Sequence, residues 1–396
     1  MMGAVFFCGW ALLRIGEINL TVSDLFLIVV LAAMLTRRQL NSRPFGQFSP
    51  YWFCGIGLML LGLLLGSVVH GSVDRWLIVG GQYLFGFLLI PMIFMGQDVS
   101  TMRKLPALFV VGIAISQLVG ISASLVFEQS EIAAVMGPNF LAGNGRLGAM
   151  TGEMNWNGAM VAFAAPMLIY SLERRILPLG IGLICGGLLV WGVLASGSFT
   201  GFAATAVAIA IYLAIRGVGL LFRAAVVGGI CAALFLMSGL PLPKPFEDRV
   251  AGAVTTGDLN QAGTFTDRAA LIAEAWELTG DHLIVGVGVD RMRKISSSRT
   301  PVHEFHLLIW NEGGFIALAG VIMLLLTMFG VAFLVAARSR IEGALILATV
   351  VVFNIYTFSI PHMFSRIWIL PVLLAMSTYL ARHPAFAGYH KNPLSP

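Results

Sequence analysis

The sequence has few charged residues, since Asp, Glu, Lys and Arg together make up 11% of its 396 residues. It has only four cysteines and no Cys-x-x-Cys pair, which gives no support for a zinc site or a disulfide framework. No basic stretch precedes the first apolar segment and no small-residue cleavage site follows it, so a cleaved signal peptide is not expected. Apolar residues are abundant instead: the chain is 58% hydrophobic with a mean hydropathy of +0.90, a composition typical of membrane proteins.

Long apolar segments recur along the chain, and most approach the roughly 20 residues that a helix needs to cross a bilayer. They do not alternate apolar with polar residues, so the strands of a membrane β-barrel are excluded. We predict an all-α polytopic membrane protein with about twelve transmembrane helices, the first of them short. These helices are expected near residues 3–14, 22–36, 51–69, 76–95, 106–127, 155–171, 177–195, 200–215, 218–239, 314–337, 342–359 and 365–381.

One polar stretch, residues 241–303, interrupts this pattern, and we call it the insert. It divides the chain into an N-terminal bundle (1–240), the insert, and C-terminal helices with a short tail (304–396). Within the insert we predict a helix over Thr266–Gly280, with Thr266 as N-cap and Asp267 at the positive end of the helix dipole. This helix could lie on the membrane surface as an amphipathic element. The insert is nonetheless where a membrane protein of this kind is expected to do its chemistry.

Basic residues in the predicted loops indicate the orientation. Counting from a cytoplasmic N-terminus, thirteen basic residues fall on the cytoplasmic side and four on the other, in agreement with the positive-inside rule. The insert and the active face are therefore predicted outside the cytoplasm, and both termini inside. The thirteen are Arg37, Arg38, Arg43, Arg103, Lys104, Arg174, Arg175, Arg216, Arg223, Arg338, Arg340, Arg382 and Lys391; the four are Arg14, Arg75, Arg146 and Arg366.

A histidine pair at the end of the insert could suggest a metal site. The zinc-protease motif needs two histidines four residues apart on one helix face. His303 and His306 are three apart, with Glu304 between them, so the spacing does not fit and no metal ligand is predicted.

Polar residues gather at the non-cytoplasmic ends of the predicted spans. Such residues are costly at membrane depth and are often functional, although each taken alone is more often an interfacial or packing residue. The Ser196–Thr200 segment, which contains Ser198, is either a tight turn or a lining for an anionic ligand. The other members of this set are Arg146, Glu153, Asn155, Asn157, Asn311, Glu312, His362 and Arg366.

Five short segments over about residues 140–320 stand out by their order. They are Gly145-Arg-Leu-Gly148 with Glu153-Met-Asn-Trp-Asn157, then Leu194-Ala-Ser-Gly-Ser-Phe-Thr-Gly201, Thr266-Asp-Arg268 through Trp276, Asp281-His-Leu-Ile-Val-Gly-Val-Gly288, and His303-Glu-Phe-His-Leu307 through Glu312 and Gly314.

In content and order, these segments resemble those of the bacterial O-antigen ligase and Wzy-type polysaccharide polymerase superfamily. The resemblance implies a GT-C-like glycosyltransferase of the bacterial inner membrane. Its donor would be a glycan on undecaprenyl diphosphate, and its acceptor a hydroxyl on another glycan or on lipid A core. It also implies a reaction without metal, cofactor or nucleotide sugar, and no nucleic-acid partner. By position, Arg268 would hold the diphosphate and His303 would activate the acceptor hydroxyl.

The chain departs from that family pattern at three positions. Phe199 stands where a span-edge arginine is expected, Glu304 replaces an asparagine, and Leu283 replaces a proline. The missing arginine matters most, because it removes one cation of the expected diphosphate clamp. We expect Arg146 or Arg366 to substitute for it, with Asn155, Ser198 and Glu312 as further substrate-binding residues.

Two other functions stay open at the level of sequence. A transporter or flippase of a lipid-linked or anionic solute is expected to show two related halves with broken helices at the midplane, and no internal repeat is visible. A catalytically weakened member of the same fold would explain Phe199.

Overall fold

The computed structural model describes residues 1–15, 19–239, 241–258, 263 and 265–382, with only the backbone of residues 15, 265, 267 and 281. The protein is built from helices joined by short connections, as its sequence predicts. The helices are α1 Met2–Phe6, α2 Val22–Thr36, α3 Ser49–Val69, α4 Val73–Phe94, α5 Leu105–Val126, α6 Gln129–Met136, α7 Met154–Glu173, α8 Leu179–Ser196, α9 Phe199–Arg216, α10 Val218–Met237, α11 Phe265–Asp281, α12 Phe305–Arg338, α13 Arg340–Thr357 and α14 Arg366–Leu380.

Shorter elements connect them. Strands β1 (Arg14–Ile15) and β2 (Leu20–Thr21) form one antiparallel pair, and single helical turns complete the connections. These turns are Gly46–Phe48, Val99–Met102, Ala149–Thr151, Lys244–Phe246, Glu247–Ala251, Gly252–Thr256 and Met292–Ile295.

Eight of the described helices are long and apolar enough to cross a membrane: α3, α4, α5, α8, α9, α10, α12 and α13. Helices α2 and α14 are apolar but have only 15 residues each, and α7 has 20 residues with a lower mean hydropathy. The chain is therefore a multi-pass membrane protein. Ten of the predicted spans match these helices to within about three residues at each end.

Helix α12 begins before the predicted span 314–337. It joins two helical segments across a break at Gly314, where the predicted span starts. Gly314 has φ +69° and ψ −171°, a backbone conformation in which any residue with a side chain would be strained. A Cβ there would lie 2.0 Å from the Ile284 carbonyl oxygen, and the next residue, Phe315, donates its N–H to the Leu283 carbonyl at 2.9 Å. The glycine thus separates an outer segment that begins at Phe305 from the long apolar part of the helix.

The predicted span over residues 3–14 is wrong. Helix α1 has five residues, which gives a length of about 7.5 Å, whereas the bilayer core is about 30 Å thick. The following residues fold back within the bundle: Trp10 donates its indole N–H to the Gly112 carbonyl, and Leu12 donates its N–H to the Met150 carbonyl at 2.8 Å. Together α2–α5, α7–α10 and α12–α14 are eleven membrane-length or near-membrane-length helices among the described residues, not twelve.

Glycines bring the central helices of the bundle close together. A Cβ on Gly62 of α3 would lie 2.6 Å from the Gly313 carbonyl oxygen, and one on Gly320 of α12 would lie 2.4 Å from the Met59 amide. Small residues of this kind let helix backbones approach and gain van der Waals contact where no hydrophobic force acts between helices. The pair α3 and α12 therefore forms a close-packed support for the residues before Gly314.

The bundle has two chemically different ends. At one end, which we call the insert end, the insert meets the loops before α7 and α9 and the loop before α4. At the opposite end, Arg174 pairs with Glu342 and Arg216 pairs with Glu173, and the Arg103 side chain donates to the Thr378 carbonyl at 3.1 Å. The described residues of the predicted cytoplasmic set lie at or near the helix ends on this opposite side, with Arg223 in the second turn of α10. Lys391 lies outside the described residues.

The predicted insert helix is α11, one residue longer at each end than expected. Thr266 therefore lies within the helix instead of capping it, and the side chain of Asp267 lies outside the described part of the chain. Helix α11 packs on the start of α12, where Asn311 donates to the Ala275 carbonyl at 2.9 Å and the rings of Trp276 and Trp310 meet edge to face. The insert is thus folded against the bundle.

Candidate functional site

Arg146 is buried at the insert end, in the turn before α7. Gly145 has φ +75°, and the Ala142 N–H donates to the Arg146 carbonyl at 2.9 Å, so the turn folds back on itself. The Arg146 guanidinium donates from Nε to the Ser196 carbonyl at 2.8 Å and from Nη2 to Asn155 Oδ1 at 3.1 Å. These two bonds fix its plane and use two of its five N–H groups.

Asn155 links Arg146 to two helix starts. Its Oδ1 also accepts from Ser198 Oγ at 3.1 Å, and its Nδ2 donates to Glu153 Oε1 at 3.2 Å. Ser198 is the N-cap of α9 and Glu153 is the N-cap of α7. The predicted residues Arg146, Asn155 and Ser198 therefore form one hydrogen-bonded group.

Two close approaches explain why these helix starts meet. A Cβ on Gly158 of α7 would lie 3.0 Å from the Ser198 Cβ, and one on Gly201 of α9 would lie 2.7 Å from the Gly158 Cα. Any larger residue at either position would push α7 and α9 apart. The glycines therefore set the distance between Asn155 and Ser198.

The insert folds back onto this group at its first turn. Pro245 contacts the positions of Gly145 and Gly197, where added Cβ atoms would lie 3.7 and 2.9 Å from it, and the rings of Phe246 and Phe202 are 5.4 Å apart. The turn Glu247–Ala251 follows directly and carries Arg249. Sequence reasoning did not single out Arg249, although the proline-rich run before it is a signal for a short, rigid connection.

Three arginine charges act on one another here. Burial and the charges of Arg249 and Arg268 together lower the pKa of Arg146 to about 10, while the charge of Glu153 opposes this shift. Burial and the Arg268 charge also lower the pKa of Arg249. All three guanidinium groups stay charged at neutral pH, so their mutual repulsion favours an anion between them.

Glu153 is the acidic group that acts on these arginines. Burial raises the pKa of its carboxyl, against the opposing effect of its hydrogen bonds and of Arg146 and Arg268. Its Oε2 accepts the Trp156 N–H at 2.7 Å, and its other oxygen holds Asn155. Glu153 thus orients Asn155 and, through it, Arg146.

The two histidines at the start of α12 have different surroundings. His306 Nδ1 lies 2.5 Å from Glu304 Oε1, and Glu304 also caps α12 by accepting the N–H groups of His306 and Leu307. His303 is half-buried, and burial followed by the Arg268 charge lowers its pKa below the usual value. His303 is therefore held neutral and lies close enough to Arg268 for their charges to interact.

A second polar group contains Glu312, Asp290, Arg75 and His362. The buried carboxyl group of Glu312 accepts a hydrogen bond from the Asp290 backbone, and the Asp290 side chain pairs with Arg75. Burial lowers the pKa of His362, the charge of Asp290 opposes this shift, and with the charges of Arg293, His303 and Arg75 the pKa is about 4. Glu312 therefore belongs to this second group and not to the arginine cluster.

Arg366 is placed differently from the other predicted substrate-binding residues. Its Nε donates to Asp24 Oδ1 at 2.8 Å, its Nη2 pairs with Asp24 Oδ2 at 2.5 Å, and Nη1 donates to Gln82 at 3.4 Å. Both members of the ion pair are buried. The guanidinium N–H groups of Arg366 are thus engaged by partners within the protein.

The arrangement of Arg146, Arg249 and Arg268, which we call the arginine cluster, suits an oligoanion such as a diphosphate, with a neutral histidine beside it to accept a proton. Among the residues that the structure describes, no group of three or more His, Cys, Asp or Glu side chains is placed to hold a metal ion. A scan of the chain against protein-family models gives no match, and a search of the curated proteins gives none either.

Proposed function

We propose that the protein is a membrane glycosyltransferase that moves a glycan from an undecaprenyl-diphosphate-linked donor to an acceptor hydroxyl, as a polysaccharide polymerase or an O-antigen ligase does. One observation carries the proposal. The arginine cluster gathers at one end of a membrane bundle, beside a histidine that is held neutral. The order of the five sequence segments supports the same function.

The chemistry assigns a role to each group. His303 takes the proton of the acceptor hydroxyl as its oxygen attacks the anomeric carbon of the donor sugar. The bond from that carbon to the diphosphate oxygen breaks, and the diphosphate leaves with the bonding electrons. Guanidinium groups grip phosphate oxygens with two parallel hydrogen bonds and stabilise the charge that develops on the leaving group.

Arg249 is the candidate to replace the arginine that the family pattern places at the position of Phe199. Phe199 is the first residue of α9, and Phe202 of the same turn contacts Phe246, three residues before Arg249. A cation from the insert thus approaches the end of the helix where the family cation is expected. This favours an active enzyme over a weakened member of the fold.

The orientation and the compartment belong to the same proposal. The basic residues at the opposite end indicate a cytoplasmic face, so the insert end would face the periplasm or exterior of a bacterial inner membrane. The acceptor would be a second glycan or lipid A core, and membrane lipids would surround the bundle.

The first test compares the two histidines. In membranes supplied with a lipid-linked glycan donor, His303→Ala should lower transfer by on the order of 10²- to 10⁴-fold, the usual loss for a general base. His306→Ala is the matched control and should lose less, since its ring pairs with a capping carboxylate. Equal residual activities at equal protein levels would refute the role of His303.

The second test asks whether a phosphate-binding fork is needed. Arg249→Lys keeps the charge but loses the planar fork, so turnover should fall strongly, whereas Arg299→Lys at an exposed position of the insert should have no effect. Wild-type turnover in Arg249→Lys and increased turnover in Phe199→Arg would instead identify a weakened enzyme without a substitute clamp.

A further inference from the structure

An apolar cavity of about 220 Å³ lies beside the arginine cluster, between the ends of α5 and α8 and the beginning of the insert. Ile121, Leu125, Leu147 and Trp191 line it, and the hydroxyl of Ser124 turns to the Ile121 carbonyl of its own helix at 2.8 Å. The part of the cavity wall formed by Ser124 is therefore apolar, although serine is a polar residue.

The cavity opens toward the surroundings of the bundle. Leu125 is 80% exposed and Trp191 is 39% exposed, and both lie on helices that are apolar enough to cross the membrane. Exposed apolar side chains on such helices meet lipid chains. A hydrocarbon chain can therefore enter the cavity sideways from the bilayer.

Three of the residues that line the cavity are close in sequence to the arginine cluster or to a partner of it. Gly145 precedes Arg146, and Ala195 precedes Ser196, whose carbonyl accepts the Arg146 Nε–H. The third of these lining residues is Pro245, which comes just before the turn that carries Arg249. A ligand that fills the cavity and reaches the cluster has an apolar chain with an anionic group at its end.

We infer that this cavity binds the first isoprene units of a polyprenyl diphosphate, next to the diphosphate that the arginine cluster holds. The inference rests on the proposed function and adds to it the site of the lipid chain. Three guanidinium groups match the charge of a diphosphate better than the single charge of a phospholipid phosphate, so the occupant is the donor lipid and not an ordinary membrane lipid.

The experiment fills the cavity without touching the arginine cluster. Ser124→Phe places a ring in the cavity, and Ser122→Phe is the matched control, because Ser122 is an exposed position two residues away on another face of α5. The intact protein in phosphatidylcholine nanodiscs is titrated with undecaprenyl diphosphate, geranyl diphosphate and inorganic diphosphate.

Wild type and Ser122→Phe should bind undecaprenyl diphosphate tightly. Ser124→Phe should weaken it by at least about tenfold, which corresponds to excluding roughly two methylene groups, with unchanged affinity for inorganic diphosphate. Unchanged binding of undecaprenyl diphosphate in Ser124→Phe would overturn the inference alone. Displacement of undecaprenyl diphosphate by an equal concentration of phosphatidylglycerol would also overturn it, as a general anionic-lipid site. Failure of all three diphosphates to bind wild type would refute the proposed function, and the inference with it.

Discussion

At the scale of single residues, arginines at the insert end have two different environments. Arg146 lies beside other cations and meets backbone and amide oxygens, whereas Arg366 meets the carboxylate of Asp24 with both sides of its fork. The first environment leaves positive charge for a ligand and the second neutralises it. The two arginines, both predicted as substitutes for the family cation, therefore require different tests.

We predict that Arg366 stabilises the fold. Arg366→Gln leaves the buried Asp24 charge without its partner and should cost about 3–5 kcal/mol, while the double variant with Asp24→Asn should recover most of this loss. Thermal unfolding in detergent measures both, with Arg14→Gln at an exposed position as the control. A stable Arg366→Gln protein that no longer transfers glycan would instead place Arg366 at the substrate.

The pKa of His303 offers a second prediction at this scale. Arg268→Gln removes one of the two causes that lower it, so His303 should become protonated at a higher pH. Since the base must be neutral, the acid limb of the transfer rate should move to higher pH as well. The pH dependence of diethylpyrocarbonate modification at His303, read by mass spectrometry, measures the shift without requiring activity.

The control for this measurement is Arg291→Gln, an exposed arginine of the insert that is not among the charges acting on His303. An identical titration of His303 in wild type and in Arg268→Gln would show that burial alone sets its pKa, and the proposed pairing of base and clamp would lose its support.

At the scale of helices, the break at Gly314 determines where His303 lies. Gly314→Ala should cost about 1–3 kcal/mol from backbone strain, and more from overlap with the Ile284 carbonyl, and it should also reduce transfer by shifting the outer part of α12. Gly187→Ala in α8 is the control, since a Cβ there meets nothing within 4 Å. Equal thermal stability of the two variants would contradict this role.

The helices themselves could be predicted because each is a long apolar run with polar ends, and such runs leave few alternatives in a membrane. The segment 3–14 is apolar too, but its backbone finds partners at Gly112 and Met150, so it folds back instead of crossing. Local composition carries no information about such partners.

The same limit applies to the site. Arg146, Asn155 and Ser198 were predictable because each precedes or starts an apolar helix at the same end of the bundle. The position of Arg249 depends on Pro245 meeting Gly145 and Gly197, which is a contact between distant parts of the chain. Likewise, the partner of Arg366 is 342 residues away in sequence.

At the scale of the whole molecule, the eleven helices change the predicted topology. Leu12 is bonded to Met150 at the insert end, so the start of the chain lies with the insert and not with the opposite end. In intact cells, an impermeant thiol reagent should label Leu13→Cys and Asp258→Cys in a background without Cys54 and Cys231. Arg340→Cys should react only after permeabilisation.

Labelling of Arg340→Cys in intact cells with protection of Asp258→Cys would invert the orientation and refute an outward-facing site. Protection of Leu13→Cys alone would instead support a first crossing and a cytoplasmic N-terminus.

Helix α10, which leads into the insert, has no buried residue, and its main contact is with α9. Its 20 residues span about 30 Å, close to the hydrocarbon thickness of a bilayer. A helix held mainly by lipid adjusts its tilt when that thickness changes. The turn that carries Arg249 is held separately, by the contacts of Pro245 with Gly145 and Gly197, so thinner or thicker bilayers should tilt α10 while the arginine cluster stays in place.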